Sequence, residues 1–463
     1  MSVPSKYLRS FPVVLVVVMF GLAAVLQACG SSTGSNSSNG KVTITVAFQQ
    51  FGPPPYPEQE WWTQVQKRVE AADPKITVKL EPIVADEGSY YTKLDLMMRS
   101  ASTAPDIVRE DSFLISSDVT AGYLAPLDQY LSSWPEYSQQ WFPAMQKITT
   151  FNGHNYGVMD GTDVRLIWYN KQIFQKAGLP TDWQPKTWAD ILSAARTIKA
   201  KVPGVIPLNL YSGIPMDEAS SMQGFEMLLY GTKDPLYDYS TQKWVTSSPG
   251  FLDALNFVKQ VYNPSDLLGP TNDIALSTQA ANTIDQQLIP QGKLAIDIDG
   301  SWVSSNWYST GAAPWPQWQQ VMGEAKMPTE FGQAPYYVTL SGGWAYSITA
   351  KSQHQAQAFE VLKTAFSQDL LANYDVQAGQ VAPRKDIVNV AAYKNAPLSD
   401  FYTSLVAFTQ FRPGFPAYPK ISLQIDAAMQ HVMSGQSPAQ AMSAYAQAVT
   451  SIAGANNVEQ LTS

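Results

Sequence analysis

Aromatic rings interleaved with carboxylates, amides and guanidinium groups are the side chains of this sequence best suited to chemistry. Trp302 stands just after the apolar run Leu294–Ile298 and the turn Asp299-Gly-Ser. Trp344 follows the pair Gly342-Gly343, where missing side chains let a partner approach the backbone. Glu110 and Asp111 close the short run Asp106-Ile-Val108, and Gln49, Gln50 and Phe51 close the first such run. Arg384 and Arg412 are rare cations beside prolines, Asp160, Asp163 and Arg165 gather near the middle, and Tyr418 lies in a Pro-rich loop. An aromatic face covers the C–H side of a ring, while carboxylates, amides and guanidinium forks pair with hydroxyls. Such a set suits a polyol better than a phosphate.

Each residue has a plainer role open to it. Trp302 either stacks on a ligand or packs as core beneath a cleft. Asp299 either binds hydroxyls or caps a helix over Trp302–Tyr308. Glu110 and Asp111 either bind ligand or cap the segment that follows. Trp344 faces either ligand or another part of the fold, ligand being preferred. Arg384 and Arg412 either reach a hydroxyl or hold a hinge by ion pairing. Asp106 is expected to fix its own loop.

Catalysis has no local signature. His154, His354 and His431 are scattered and fit no HExxH zinc pattern, and no Gly-x-Ser-x-Gly elbow, P-loop or GxGxxG run occurs outside the Gly/Ser-rich tether. A glycosidase pair of carboxylates about 5–10 Å apart is not readable from sequence. A glycan-active hydrolase or lyase therefore stays open as an alternative, as does a protein-binding surface lipoprotein. The expectation is a binding protein with no catalytic residue, cofactor or metal.

Charged residues make up 15% of the chain, against about 25% in ordinary domains, while there are 13 Trp and 23 Tyr. The net charge of −8 has no basic cluster beneath it, which disfavours nucleic acid. The amino-terminal stretch stands apart. Lys6 and Arg9 precede an almost unbroken apolar run from Phe11 to Leu26, ending at Leu26-Gln-Ala-Cys29. That run has the length of a secretory h-region and is short for a membrane span. Residues 1–28 read as a lipoprotein signal peptide and Cys29, the only cysteine, as its lipidation site. Diacylglycerol on that thiol, with N-acylation, supplies the two chains that stable anchoring needs. The Gly/Ser/Asn-rich residues 29–40 then read as a lipidated tether. Without Lys6 and Arg9 the net charge is −10.

The remaining 435 residues exceed what one core usually holds, so two domains are expected. Short β-branched runs alternate with helical stretches: Lys41–Phe48, then Glu58–Ala72, Ile76–Pro82, Tyr90–Ser100 and Asp106–Val108. The alternation resumes through Arg165–Tyr169, Trp188–Lys201, Phe251–Val261, Leu294–Ile298, Trp344–Ile348 and Gln353–Phe366. This pattern is that of an α/β fold.

Several blocks, in order, resemble family 1 extracellular solute-binding proteins of ABC sugar importers, of the maltodextrin and trehalose type. They are Thr103-Ala-Pro-Asp-Ile-Val-Arg109, Ala121-Gly-Tyr-Leu-Ala-Pro-Leu-Asp128, Asn152–Gly157, Leu166–Phe174, Lys176–Leu179, Lys186–Asp190, Gly292–Trp302 and Gly342-Gly-Trp344. The resemblance implies two doubly wound α/β lobes joined by a multi-strand hinge, with the ligand in the cleft between them. One lobe would be 41–150 with 336–367, the other 151–335 with 368–463. It also implies a stacking role for Trp302, hydroxyl binding at Glu110 and Asp111, and delivery of a di- or oligosaccharide to a membrane permease. Such a protein works as a lipid-anchored monomer on the extracytoplasmic face of the cell membrane. The loop Gly52–Pro57 and the aromatic insert Pro314–Trp318 depart from the family pattern.

Overall fold

The β-branched run after Gly40 forms strand β1 (Val42–Gln50), with Ile44, Val46, Ala47 and Phe48 buried, in a computed structural model that describes residues 40–462. The lipobox, Cys29 and most of the tether lie outside the described residues. Pro57 opens helix α1 (Pro57–Ala72), where its missing N–H costs nothing. Trp61, Trp62, Val65 and Val69 fall on one face of that helix and bury against the sheet. Strand β2 (Ile76–Val84), helix α2 (Glu87–Met98) and strand β3 (Ile107–Asp111) follow. Asp86 caps α2 by accepting the Ser89 N–H at 3.0 Å.

After the short strand β4 (Val158–Met159) the chain leaves this sheet and builds a second one. Strand β5 (Arg165–Asn170), helix α3 (Trp188–Lys201), strand β6 (Ile206–Asn209), helix α4 (Pro249–Val261), strand β7 (Leu294–Gly300) and strand β8 (Met322–Ala325) make its frame. Strand β9 (Tyr337–Leu340) packs Val338 and Leu340 into the same second core. The chain then returns: strand β10 (Trp344–Ile348) joins the first sheet, and helices α5 (Gln355–Ala365) and α6 (Gln368–Ala378) cover it. Helices α7 (Tyr418–Met433) and α8 (Pro438–Ala453) close the second lobe.

The first sheet has the order β2-β1-β3-β10-β4 and the second β8-β5-β7-β6. Each is mixed. Strand β1 is parallel to β2 and β3, whereas β10 is antiparallel to β3. In the second sheet β7 is parallel to β6 and antiparallel to β5. One apolar core stands over the first sheet and two flank the second, with Ile167 and Ile296 in one and Leu166 and Trp168 in the other, which makes the molecule two-lobed.

Three segments, around residues 162, 342 and 381, touch one another between the lobes. Thr162 exchanges backbone hydrogen bonds with Val381 at 2.9 and 2.7 Å and donates its hydroxyl to the Gly342 carbonyl at 2.9 Å. Asp163 accepts the Gly342 N–H at 2.9 Å. Gly343 has φ of 116°, and a Cβ there would lie 2.7 Å from the Gly161 carbonyl oxygen, so only glycine fits. Ala382, Ile387 and Tyr393 still pack in the first core, whereas Tyr402 and Leu405 pack with Val164 and Leu166 against the second sheet. Strand β4 still pairs with β10, β9 already belongs to the second core, and Leu370, Leu371 and Tyr374 of α6 extend the first.

Candidate ligand-binding cleft

A cleft of about 880 Å³ opens between the two sheets. Strand ends feed it, as open α/β sheets commonly arrange: Gln49 and Gln50 from β1, Asp111 from β3 and Asp299 from β7. Across its mouth the lobes approach closely at two places. A Cβ on Gly52 would lie 3.0 Å from Asn282 Oδ1, and one on Gly88 would lie 2.7 Å from Asp217 Oδ2.

The first-lobe wall is built on β3 and β10. Alternation along β3 sends Arg109 and Asp111 to the cleft side and Val108 and Glu110 to the other. Arg109 carries its guanidinium carbon 4.7 Å from the centre of the Trp344 ring. Its Nε donates to Asp160 at 2.9 Å, one terminal nitrogen to Glu58 at 2.6 Å and the other to the Tyr374 hydroxyl at 2.7 Å. Two buried carboxylates thus share one guanidinium. Burial pushes Glu58 up to about 7 and Asp160 up to about 6, with Arg109 opposing both shifts. Tyr90 and Tyr91 pack at 5.9 and 6.0 Å from the Trp344 ring, leaving the indole half-buried.

The second-lobe wall is Trp302. It follows β7 in a 3₁₀ segment (Ser301–Trp307), and its ring folds back over Gly300, where a Cβ would lie 2.0 Å from ring carbon Cζ3. Glycine is therefore what lets this indole lie against the strand end. The Arg165 guanidinium carbon stands 4.8 Å from the ring centre. Arg165 is held by Asp163 and, at 3.4 Å, by Gln223. Asp299 does not cap this segment from its side chain. It accepts the Gly300 N–H at 2.7 Å and the Tyr211 hydroxyl at 3.0 Å, and burial pushes it up to about 7.

Of the residues singled out from sequence, the cleft is lined by Trp302, Trp344, Asp111, Gln49, Gln50, Phe51, Asp163, Arg165, Asp299 and Arg412. Gln49 donates to the Ala85 carbonyl at 3.2 Å, and Gln50 donates to Gln59. Arg412 spans the lobes, donating to Asp111 at 2.6 Å and to Glu218 at 2.7 Å while covering the Phe113 ring at 4.6 Å.

Four residues lie elsewhere. Glu110, 1% exposed, points away from the cleft, because β3 runs through Asp111 instead of ending at Val108. Burial and the nearby Asp118 push its carboxyl well above the usual range. Asp160 sits behind the wall and positions Arg109. Arg384 is a core staple, donating to Asp386 at 2.7 and 2.9 Å and to the Phe366 carbonyl at 2.5 Å, with Trp141 beneath it at 4.6 Å. Tyr418 is fully buried at the start of α7, donating to Glu226 at 2.6 Å. Asp106 holds its loop by accepting from Thr45 at 2.9 Å and Ser352 at 2.6 Å.

Sequence reasoning missed Glu58, Arg109, Tyr211 and Asp285 on this cleft. Period-two alternation from Asp111 points to Arg109; no local signal points to Glu58. The Gly52–Pro57 loop lines the cleft through Pro53, Pro55 and Tyr56. The aromatic insert forms instead a separate hollow of about 290 Å³ with Trp307, Trp315 and Trp318.

Comparison with known proteins adds the family context. The family described as bacterial extracellular solute-binding protein matches residues 54–370. The diacetylchitobiose binding protein DasA of Streptomyces coelicolor is 24% identical over 444 residues, covering 92% of this chain and 95% of that one. An ABC transporter solute-binding protein of Thermotoga lettingae TMO, solved bound with alpha-D-tagatose, superposes with a TM-score of 0.74 at 26% identity, over 89% of this chain and 99% of that one. Maltose-bound MalE3 of T. maritima superposes with a TM-score of 0.73 at 20% identity, over 89% of this chain and 99% of that one, a likeness of fold.

Proposed function

The chain belongs to the family of bacterial extracellular solute-binding proteins, and from that premise we propose that it captures a carbohydrate, a di- or oligosaccharide, for an ABC importer. Membership makes it a binding protein rather than an enzyme and places its work outside the cytoplasm. The observation that carries the carbohydrate reading is the pair of half-buried tryptophans, Trp302 and Trp344, presented by opposite lobes to one cleft. The sugars named for DasA and for the Thermotoga lettingae protein support it.

The tryptophans cover the C–H faces of the sugar, and Gln49, Gln50, Asp111 and Asp299 take its hydroxyls. Sugar settles on one lobe, the other closes over it through the three touching segments, and the closed form is what the permease recognises. Moving the population from 1:99 to 99:1 takes about 5.5 kcal/mol of differential affinity. Covering about 100 Å² of each indole supplies about 2.5 kcal/mol per wall, about 5 kcal/mol for both, at 25 cal/mol/Å², so neither wall is enough alone and hydroxyl contacts supply the remainder. Arg412 ties Asp111 to Glu218 across the closed form. The mature chain is a monomer tethered by lipid at Cys29, a reading supported by the lipobox and the lone cysteine.

A thermal-shift screen of the fragment from Gly40 onward tests the reading. Cognate sugar at 100 times its dissociation constant stabilises by about 2.7 kcal/mol. A clear rise with one sugar class and no turnover supports the proposal; silence across mono-, di- and oligosaccharides contradicts it.

A further inference from the structure

The cleft floor beneath the second-lobe wall holds carboxylates that no cation serves. Strand alternation puts Asp297 and Asp299 on one face of β7 while Ile296 and Ile298 enter the core. Asp285 joins them from a π-helical turn (Ile284–Leu288). One oxygen from each of the three lies within 4.8 Å of the others, and the three residues are 4%, 1% and 1% exposed for Asp285, Asp297 and Asp299.

Neutral donors account for part of this cluster. Asn209 donates to Asp297 Oδ1 at 2.8 Å, and Asp299 accepts from Tyr211 and Gly300. Asp285 Oδ1 and Asp297 Oδ2 are buried with no hydrogen-bond partner among the described residues. Buried carboxylate oxygens left bare are costly, and three carboxylates at this spacing repel one another. The cleft's guanidinium groups form no ion pair with them, although the nearby charge of Arg165 favours the ionised form of Asp299. Arg109 is committed to Glu58 and Asp160, Arg165 to Asp163, and Arg412 to Asp111 and Glu218. No ion pair among the described residues involves Asp285, Asp297 or Asp299.

We propose that Asp285, Asp297 and Asp299 form a binding site for a hard divalent metal cation at the floor of the cleft. Anionic oxygens, no nitrogen or sulfur ligand, and neighbouring neutral oxygens are the donor set of Ca²⁺ or Mg²⁺ rather than of zinc or copper. Asp285 and Asp299 both line the cleft, so the ion enters from the cleft side without passing through the core. Asp297 lies behind them and is fixed by Asn209. The site shares Asp299 with the proposed sugar contacts, but its test needs no sugar.

Full-length chain in detergent, stripped with chelator and dialysed, is titrated with CaCl₂ and with MgCl₂ by calorimetry, alongside Asp285→Asn and Asp297→Asn. Extracellular calcium sites bind in the range of about 10⁻⁴–10⁻³ M. The proposal predicts saturable one-to-one uptake of at least one ion in that range or tighter, with a rise in Tm. It predicts at least a tenfold loss of affinity in each variant. A wild-type chain that takes up neither ion by about 10 mM, well above that range, overturns it; the carboxylates then share protons. Uptake unchanged in both variants overturns it equally. Should a variant fail to fold, the wild-type titration with terbium, whose emission nearby tryptophans sensitise, decides: no saturable emission contradicts the site.

Discussion

On the first-lobe wall, each donating edge of the Arg109 guanidinium behind Trp344 is used: Glu58 at 2.6 Å, Tyr374 at 2.7 Å and Asp160 at 2.9 Å. On the second-lobe wall, Arg165 behind Trp302 has one carboxylate, Asp163, and longer contacts of 3.4 Å to Gln223. Both walls place a guanidinium under an indole, at 4.7 and 4.8 Å. They differ in what holds the guanidinium and in where surplus negative charge goes. The first wall draws partners from α1, α6 and the segment after β4, so it is locked and carries one carboxylate more than its cation balances. The second wall is balanced at Arg165 but rests above the Asp285–Asp297–Asp299 cluster. A rigid platform opposite an adjustable one is a sound design for a hinge that must close on its ligand.

The largest expected effect separates the two walls. Arg109→Ala strands Glu58 and Asp160 as buried carboxylates, a loss of about 3–5 kcal/mol in urea unfolding. Arg165→Ala leaves Asp163 still accepting the Gly342 N–H, so it costs less, about 1.5–3 kcal/mol. The reverse order would break the comparison. Removing either indole comes next. Trp302→Ala and Trp344→Ala each weaken sugar binding by about 2 kcal/mol, near thirtyfold, in calorimetric titration.

Arg412→Ala should weaken binding about tenfold, or 1.4 kcal/mol, because Asp111 and Glu218 then face each other across the lobes without their shared cation. Small-angle scattering on the sugar-free chain should show a larger radius of gyration than wild type. An unchanged radius would mean that the touching segments alone set the lobe angle.

A smaller effect is a slope in stability against pH. Folded Glu58 keeps its proton to about 7, whereas the unfolded chain releases it near 4.5. The folded state therefore binds more protons across that window, and stability falls as pH rises from about 4.5 to 7 and then levels off for this group. Glu58→Gln should flatten that part of the profile. A variant as steep as wild type would show that the surplus charge of the first wall lies elsewhere. Smallest of all is Trp315→Ala, which should leave sugar binding unchanged, because its hollow is separate from the cleft.

Much of this was legible in the sequence, for physical reasons that also mark its limits. The alternation of β-branched runs with helical stretches foretold β1 through β3 and the later βα units, since periodicity is local. Trp302 and Trp344 reach the cleft because strand ends and glycine pairs are local signals too. Glu110 and Asp111 are equivalent if β3 ends at Val108; the strand runs through both, and alternation sends them to opposite sides. Arg384 and Tyr418 stand beside prolines in the sequence, but their partners Trp141 and Glu226 lie far off in the chain and bury them. Glu58 lies 51 residues from Arg109, and Tyr374 lies 265 from it, distances that local pattern does not span. Val338 and Leu340 are apolar in either lobe, and only packing places them in the second core.

The most direct test is a crystal structure of the chain with the sugar that the thermal-shift screen selects. One sugar ring should lie in the cleft with carbon atoms within about 4.5 Å of both the Trp302 and Trp344 rings, and with hydroxyls on Asp111 or the β1 glutamines. A sugar seated in the Trp307–Trp315–Trp318 hollow, or touching neither cleft tryptophan, would contradict it.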